Sequence, residues 1–331
     1  MKKKKEEKKE KIESLLEELK KKFGEGSILR LGEETSLKVE SISSGSLALD
    51  TALGVKGIPR GRIVEIFGSE QTGKTTLALH IIAQAQKNGG IGAFIDAEHS
   101  FDPEWAKKCG VRIEDLLISQ PDSGEEALRM VETLVNSGKI DVIVVDSVAA
   151  LVPRTELGGE MGEIPVGLQA RLMSHALRKL AGIVSKTKSI VIFLNQVRMK
   201  IGQMYGAPET TPGGLALKFY ASVRIQLKRI GQLKRGEKIL GNRIEAKVVK
   251  NKVAPPFKSA VFDIFYDEGI SRAAEIFLLA QEKGIIKRSG NYFLFKDQKL
   301  GNGQDQAREF LKENPKLLEE IEEILKKEFF P

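Results

Sequence analysis

The stretch Gly68-Ser69-Glu70-Gln71-Thr72-Gly73-Lys74-Thr75 follows the pattern G-x-x-x-x-G-K-[ST], and its two flanks make that pattern informative. An apolar run at 63–67 leads into it like a β-strand, and 76–83 continues from it with the spacing of an α-helix. In such a loop backbone N–H groups surround phosphate oxygens, the lysine reaches the β and γ phosphates, and the hydroxyl ligates Mg²⁺. The sequence therefore predicts a site for a nucleoside triphosphate and Mg²⁺. Its predicted residues are Gly68, Ser69, Glu70, Gln71, Thr72, Gly73, Lys74, Thr75 and Thr76.

Length, composition and charge exclude several classes of protein. The chain has 331 residues, a single cysteine (Cys109) and a net charge of +8. One cysteine allows neither an intrachain disulfide nor a cysteine cluster for a structural metal, and no apolar run approaches the roughly 18 residues of a membrane span. The N-terminus mixes Lys with Glu and lacks the apolar region of a signal peptide. We therefore expect a cytoplasmic protein without a membrane partner, whose positive charge permits a polyanionic one.

The pattern of apolar residues predicts three parts along the chain. Residues 1–35 form a Lys/Glu-rich helix, whose charges favour a solvated face over a nucleic-acid-binding arm, and a short strand at 27–31. Residues 36–271 alternate apolar strands with amphipathic helices, which predicts an α/β fold whose mostly parallel sheet ends in antiparallel strands. Residues 272–331 predict a small α+β domain with a helix, a hairpin-like stretch and two more helices. The predicted strands of the main sheet are 63–67, 92–96, 141–146, 189–195, 222–228, 245–250 and 260–266.

Polar residues end three of these strands, on the side where parallel strands meet the phosphate loop. Asp146 is placed to hold Mg²⁺, directly or through water. Glu98 is the best-placed carboxylate to orient water for attack on the γ phosphate, although an ordinary strand-end acid fits the same pattern. Gln196 can sense the γ phosphate by hydrogen bonding, or it can simply satisfy the strand end.

Two later segments carry further signals. Segment 197–211 has glycines, prolines and basic residues, so we predict a mobile loop with a role of its own. Segment 247–252 places three lysines near a strand end and is a candidate cationic finger. Its Asn251-Lys252-Val253 superficially fits the guanine motif N-K-x-D, but Ala254 replaces the carboxylate, which argues against a GTPase.

Taken together, these segments resemble the bacterial RecA recombinases over nearly the whole chain. The most specific stretches are FIDAEH at 94–99, VIVVDSVAAL at 142–151, NQVRMKIG at 195–202, PETT at 208–211 and GGLALKFYASVR at 213–224. The resemblance implies a P-loop NTPase core of the RecA type. It also implies a DNA-dependent ATPase that forms helical filaments on single-stranded DNA and pairs it with homologous double-stranded DNA in recombinational repair. The N-terminal helix and strand would then polymerise by packing on the adjacent subunit, and a repressor of the DNA-damage response is a further candidate partner.

The resemblance also implies roles for residues of the ATP site. Lys74 and Thr75 would hold the phosphates and Mg²⁺, Asp146 would support the metal, Glu98 would polarise the attacking water and Gln196 would sense the γ phosphate. Lysines at two further positions would reach the phosphates of the neighbouring subunit, as an arginine finger does. These two lysines are Lys250 and Lys252. The residues expected beside the adenine base of ATP are Asp102 and Trp105.

Two departures from the family bear on these roles. Trp105 stands where the family has a tyrosine that stacks on adenine; a larger ring should still stack, and core packing is the alternative. Ser69 stands where the family usually has proline, and the glycines and Lys74 of the loop are intact.

The resemblance implies that two loops of this chain face DNA, one around 156–167 and the other at 197–211. Val166 and Ile201 match apolar side chains that wedge between base triplets, and Val166 is smaller than the usual methionine. Basic, polar and backbone groups would hold phosphates without reading sequence. The predicted DNA-binding residues are Val166, Arg171, Ser174, Arg178, Arg198, Lys200, Ile201, Gly213 and Gly214.

Two other functions share the phosphate loop. A ring-forming helicase motor has the same ATP site, but the N-terminal helix and Gly213-Gly214 favour a filament. A small-molecule P-loop kinase would need a pocket for a phosphate acceptor, and the sequence carries no signature of one.

Overall fold

The computed structural model describes residues 2–24, 28, 39–159, 167–199 and 209–330. The chain divides into two compact units, Met1–Val39 and Glu40–Pro331. The first contains the helix α1 (Lys2–Phe23), and the strand predicted at 27–31 lies outside the described residues except for Ile28. The apolar stripe of α1 is partly exposed, with Leu15 at 53% and Phe23 at 65%.

The second unit alternates helices and strands in the predicted order. Its helices are α2 (Leu47–Leu53), α3 (Lys74–Lys87), α4 (Pro103–Lys108), α5 (Gly124–Asn136), α6 (Arg154–Leu157), α7 (Leu168–Thr187), α8 (Ala216–Tyr220), α9 (Arg272–Glu282), α10 (Gln304–Glu313) and α11 (Pro315–Phe329). Its strands are β1 (Ser41–Ile42), β2 (Ile58–Pro59), β3 (Ile63–Gly68), β4 (Gly92–Asp96), β5 (Leu116–Ser119), β6 (Val142–Asp146), β7 (Ile190–Gln196), β8 (Arg198–Met199), β9 (Glu209–Thr210), β10 (Val223–Arg235), β11 (Lys238–Asn251), β12 (Ser259–Phe265), β13 (Gly269–Ile270), β14 (Ile286–Ser289), β15 (Tyr292–Phe295) and β16 (Gln298–Asn302).

A nine-stranded sheet forms the centre of this unit, in the order β13-β12-β11-β10-β3-β7-β6-β4-β5. Strands β10, β3, β7, β6, β4 and β5 are parallel neighbours, and β11, β12 and β13 continue the sheet antiparallel. This arrangement confirms the predicted α/β fold with a mostly parallel sheet and an antiparallel end. All seven predicted strands are present, and β10 and β11 are much longer than predicted. The sequence missed edge strand β5, whose Leu117 and Ile118 are each 49% exposed and so lack the apolar pattern of a buried strand.

Both faces of the sheet are covered by helices, which explains the continuous apolar runs of its inner strands. In β6, Val142 and Val144 belong to the core that includes α3, while Ile143 and Val145 belong to the core under α5 and α7. The phosphate loop connects β3 to α3 and therefore lies at the carboxyl edge of the parallel strands.

The chain after β13 forms a smaller α+β part with its own apolar core. Strands β14, β15 and β16 make a three-stranded antiparallel sheet where the sequence predicted only a hairpin-like stretch. Helices α9, α10 and α11 cover it, and Leu47 of α2 joins the same core. None of the helices in the described part of the chain has the length and apolarity that a bilayer span requires.

Candidate functional site

The backbone of the phosphate loop requires glycine at two positions, Gly68 and Gly73. Gly73 has φ of +82° and precedes α3, and a Cβ atom there would lie 2.3 Å from Cδ1 of Ile264. A Cβ atom at Gly68 would lie 2.4 Å from the carbonyl oxygen of Leu227. Neither position therefore accepts a larger residue without rearrangement of the loop.

Lys74 lies over its own loop. Its Nζ donates hydrogen bonds to the carbonyl oxygens of Gly68 at 3.1 Å and Ser69 at 2.9 Å. Burial lowers the pKa of the ammonium, and the nearby carboxylates of Asp146, Glu98 and Glu70 act in the opposite direction. The cation is thus held at the centre of the loop, where an anionic ligand would stabilise its charge.

Thr75 and Asp146 meet beside the loop. Oγ1 of Thr75 donates a 2.8 Å hydrogen bond to Oδ2 of Asp146. Burial raises the pKa of Asp146 to about 6, and Glu98 adds to the effect, while Thr75 and Lys74 oppose it. A hydroxyl beside a desolvated carboxylate is an oxygen donor pair that suits Mg²⁺, which in such sites takes its remaining ligands from phosphate and water.

Three strand ends converge on Glu98. The N–H groups of Ala97 and Glu98 donate to the carbonyl oxygen of Asp146, at 2.8 and 3.2 Å, and tie the end of β4 to the end of β6. Oε1 of Glu98 accepts hydrogen bonds from Oγ of Ser147 and, at 3.4 Å, from Nε2 of Gln196. The structure therefore brings together the acid and the amide that the sequence predicted separately. Ser147 was not among the predicted site residues, although its position directly after Asp146 was a signal.

A cavity of about 360 Å³ adjoins the loop and contains the predicted aromatic residue. Trp105 is only partly buried, and its Nε1 donates a 3.3 Å hydrogen bond to Oγ1 of Thr76. Asp102 caps α4 by accepting hydrogen bonds from the backbone N–H groups of Glu104 and Trp105, and this cap fixes the start of the helix that carries the ring. The cavity is lined by Gln71, Gly73, Thr76, Trp105, Asn242, Ile244, Ile264 and Tyr266.

Asn242 is one of four cavity residues that sequence reasoning missed, with Ile244, Ile264 and Tyr266. Its side chain is buried, its Nδ2 donates to the hydroxyl of Tyr266 at 3.2 Å, and its Oδ1 has no hydrogen-bond partner. An unpaired buried acceptor is costly, so a ligand with an N–H group would be stabilised there. No motif marks Asn242, because it reaches the cavity from β11 only through the fold of the sheet.

Lys250 and Lys252 lie away from this phosphate loop. In the sheet Lys250 is level with Arg224 and Glu65, three residues before Gly68, which is about 10 Å along the strands. Nζ of Lys250 donates to the carbonyl oxygens of Lys218 at 2.6 Å and Phe219 at 3.0 Å, at the end of α8. The predicted phosphate loop thus lies at the carboxyl ends of the parallel strands, and the predicted lysine finger lies towards their amino ends.

Five of the nine predicted DNA-binding residues have described surroundings, and these five form two groups. Arg171, Ser174 and Arg178 share one face of α7, with both arginines exposed. Gly213 and Gly214 have φ of +81° and +74° and pack against Val148 and Ala170. For Arg198 only the backbone is described, paired with Thr210 across β8 and β9. Outside the described residues lie Val166, Lys200 and Ile201.

This phosphate loop, with acids from two neighbouring strands beside it and a base-sized cavity next to it, defines a P-loop nucleoside triphosphatase. Family models for the RecA N-terminal and RecA C-terminal domains match residues 10–271 and 274–329. The chain is 58% identical over 323 residues to Protein RecA of Caldanaerobacter subterraneus subsp. tengcongensis, covering 98% of this chain and 94% of that protein. It is 61% identical over 304 residues to Protein RecA of Chlorobium limicola, covering 92% and 87%.

The chain belongs to the RecA family. It is accordingly an ATP-binding, DNA-dependent ATPase of DNA recombination and repair that associates with copies of itself in filaments. This membership confirms the function expected from the resemblance.

Proposed function

We propose that ATP binds this loop together with Mg²⁺, and that Lys74, Thr75 and Asp146 each have a separate task. Lys74 turns from the carbonyl oxygens of its own loop to the β and γ phosphates, which are stronger acceptors. Thr75 and Asp146 hold Mg²⁺, which would neutralise charge on the phosphate oxygens. The Thr75–Asp146 pair supports this assignment because it already aligns two oxygen ligands beside Lys74.

Glu98 is the proposed residue that polarises the attacking water. It lies at the end of β4, and Ser147 and Gln196 orient its carboxylate by hydrogen bonds. Gln196 contacts Glu98 and directly precedes segment 197–211, so it is placed to report the γ phosphate to that segment.

The adenine is proposed to occupy the cavity beside Trp105. The indole ring offers a stacking surface, Asp102 holds the start of its helix, and Asn242 offers an unpaired acceptor for an amino group. Thr76 contributes to the wall of the same cavity.

Lys250 and Lys252 are proposed to act on the ATP of the neighbouring subunit. This is supported by the distance along the strands between Lys250 and the phosphate loop of its own chain, which is about 10 Å. In a helical filament the edge that carries the lysines would face the edge that carries the loop. Hydrolysis then requires two adjacent subunits.

Single-stranded DNA is proposed to bind along α7 and the segments that flank it. The exposed Arg171 and Arg178 would contact phosphates, with Ser174 between them on the same face. Gly213 and Gly214 allow the backbone after segment 197–211 to approach α7 closely. The roles of Val166, Arg198, Lys200 and Ile201 follow from the family resemblance.

The proposed activity is therefore ATP-dependent assembly on single-stranded DNA, pairing with homologous double-stranded DNA, and release by hydrolysis. We place it in the cytoplasm, with a repressor of the DNA-damage response as an additional candidate partner. The domain bounds proposed for this activity are 1–35 for polymerisation, 36–271 for the ATPase and 272–331 for the small C-terminal domain.

The observation that carries this proposal is the separation of the phosphate loop from the lysine pair along the parallel strands of one sheet. Electron microscopy with ATP, Mg²⁺ and single-stranded DNA tests it. Long helical filaments are expected. Closed rings would favour a helicase motor, and single particles with ATPase activity unaffected by DNA would contradict the proposal.

A further inference from the structure

Glu65 is a carboxylate in the middle of β3 that no step above uses. Its side chain is completely buried, in a strand whose other residues are apolar apart from the terminal glycine. Burial of a charged carboxylate is costly unless each oxygen is paired. Here Oε1 accepts a 3.0 Å hydrogen bond from Nδ2 of Asn195, and Oε2 accepts one from Nε of Arg224.

The first partner leads to the phosphate site. Asn195 is completely buried, and its Oδ1 accepts the N–H of Gln196 at 3.0 Å. Its Nδ2 also donates to the carbonyl oxygen of Pro212 at 3.2 Å. Asn195 therefore holds the residue proposed to sense the γ phosphate and the chain directly after segment 197–211.

The second partner leads to strand β11, which carries the lysine finger. Arg224 lies over the ring of Phe67 at 4.5 Å and is level with Lys250 on β11. Burial, Lys252 and Arg224 all lower the pKa of Lys250, and the negative charge of Glu65 opposes them. Glu65 therefore balances the guanidinium that stands beside the lysine finger.

We propose that Glu65 is a positioning residue for ATP hydrolysis, which holds Arg224 beside Lys250 and Asn195 beside Gln196. Through these two contacts it joins the γ-phosphate sensor of one site to the lysine that serves the next. This inference rests on the proposed function, since it assigns Lys250 to the ATP of a neighbouring subunit. Loss of the Glu65 charge releases Arg224, and Lys250 then lacks both the fixed neighbour on β10 and the negative charge that stabilises its ammonium.

The variant Glu65→Gln tests the proposal by measuring DNA-stimulated ATP turnover. We expect kcat to fall at least about tenfold, because small displacements of catalytic groups lower rates by factors up to about 10². We expect KM for ATP to change by less than about threefold, since Lys74 and the cavity beside Trp105 are untouched. Turnover within twofold of the parent chain would overturn the proposal.

Mixed filaments separate this role from a merely structural one. A Glu98→Gln subunit has an inactive site of its own but an intact finger. A Glu65→Gln subunit has a displaced finger but keeps its own site, because the amide oxygen of glutamine can still accept the hydrogen bond of Asn195. Filaments mixed at equal amounts should therefore exceed the summed activity of the two separate variants. Failure of this mixture to recover activity, while Lys250→Ala mixed with Glu98→Gln does recover, would overturn the role of Glu65. Failure of the Lys250→Ala mixture would instead contradict the proposed function.

A second variant covers the case in which Glu65→Gln does not fold, as judged by circular dichroism. The double variant Glu65→Gln/Arg224→Gln replaces the buried ion pair by two amides and leaves no uncompensated charge. The double variant still lacks the two groups that position Lys250, which are the Glu65 carboxylate and the Arg224 guanidinium. We therefore expect low turnover that mixing with Glu98→Gln restores. Parent-like turnover in the double variant, or low turnover that mixing leaves unchanged, would overturn the proposal.

Discussion

Oγ1 of Thr75, in the first turn of α3, donates a 2.8 Å hydrogen bond to Oδ2 of Asp146 at the end of β6, and strand β7 separates β6 from the strand β3 that leads into α3. Asp146→Asn keeps an acceptor oxygen for this hydroxyl but removes the charge that Mg²⁺ would require. We expect weaker Mg²⁺-dependent ATP binding and unchanged folding, because a buried charge has been removed. Calorimetric titration with MgATP checks this, with the exposed Asp122→Asn as control. Parent-like MgATP affinity in Asp146→Asn would contradict the metal assignment.

Glu98→Gln should separate ATP binding from hydrolysis. The amide can still accept the hydrogen bond of Ser147, so the site keeps its shape, but it cannot polarise water as a carboxylate does. We expect ATP affinity near that of the parent and turnover reduced by about 10² or more. Nucleotide binding and phosphate release are the two measurements, and Glu104→Gln on the exposed side of α4 is the control. Normal turnover would remove Glu98 from its role.

Lys74→Ala should abolish ATP-supported filament formation while the fold persists. The ammonium contacts only carbonyl oxygens of its own loop in the hydrogen bonds described, and burial already lowers its pKa. Electron microscopy with ATP and DNA, together with thermal unfolding, checks both expectations. Filaments that still form with ATP would show that Lys74 is dispensable for nucleotide binding.

Gly213→Ala should destabilise the chain more than Gly138→Ala, although both glycines have positive φ. The Cβ atom at Gly213 would lie 2.7 Å from Cγ1 of the buried Val148, whereas the one at Gly138 meets no atom within 4 Å. We expect free energies of unfolding lower by about 2–4 kcal/mol for Gly213→Ala and by about 1 kcal/mol for the matched control. Equal losses in urea denaturation would show that the close approach to Val148 is unimportant.

Glu275→Gln should alter the pH dependence of stability. Glu275 of α9 is buried and accepts hydrogen bonds from Oγ of Ser46 and from the N–H groups of Leu47 at 2.9 Å and Ala48 at 3.3 Å. Burial nevertheless raises its pKa from 4.5 to about 7. The folded chain therefore binds this proton more tightly than the unfolded chain, and the free energy of unfolding falls as pH rises from about 4.5 to about 7.

The variant lacks this proton-binding group, so its stability should decline less over the same interval. Asp50, whose pKa is raised to about 6 mainly by burial, contributes in the same direction and remains in the variant. Urea denaturation at pH 5 and pH 8 measures the difference, and the exposed Glu282→Gln serves as control. Equal declines in parent and variant would contradict the raised pKa of Glu275.

The sequence predicted most of the fold because its information there is local. Each inner strand is a short apolar run covered on both faces, and each helix repeats its apolar residues with helical spacing. Strand β5 was missed because its exposed edge carries no such pattern, and β14 was missed because three of its four residues are exposed and only Ile286 is apolar. The lengths of β10 and β11 were also missed, since their outer halves leave the apolar core.

By itself the sequence determined the phosphate loop, whose residues are contiguous, and the strand-end residues Asp146, Glu98 and Gln196, because the carboxyl ends of parallel strands meet at one edge. Only the tertiary structure decided that Asn242 enters the cavity beside Trp105, that Ser147 holds Glu98, and that Glu65 joins Asn195 to Arg224. The physical reason is that these contacts join side chains from strands distant in sequence. Their partners are chosen by strand order and register, which no local pattern of residues records.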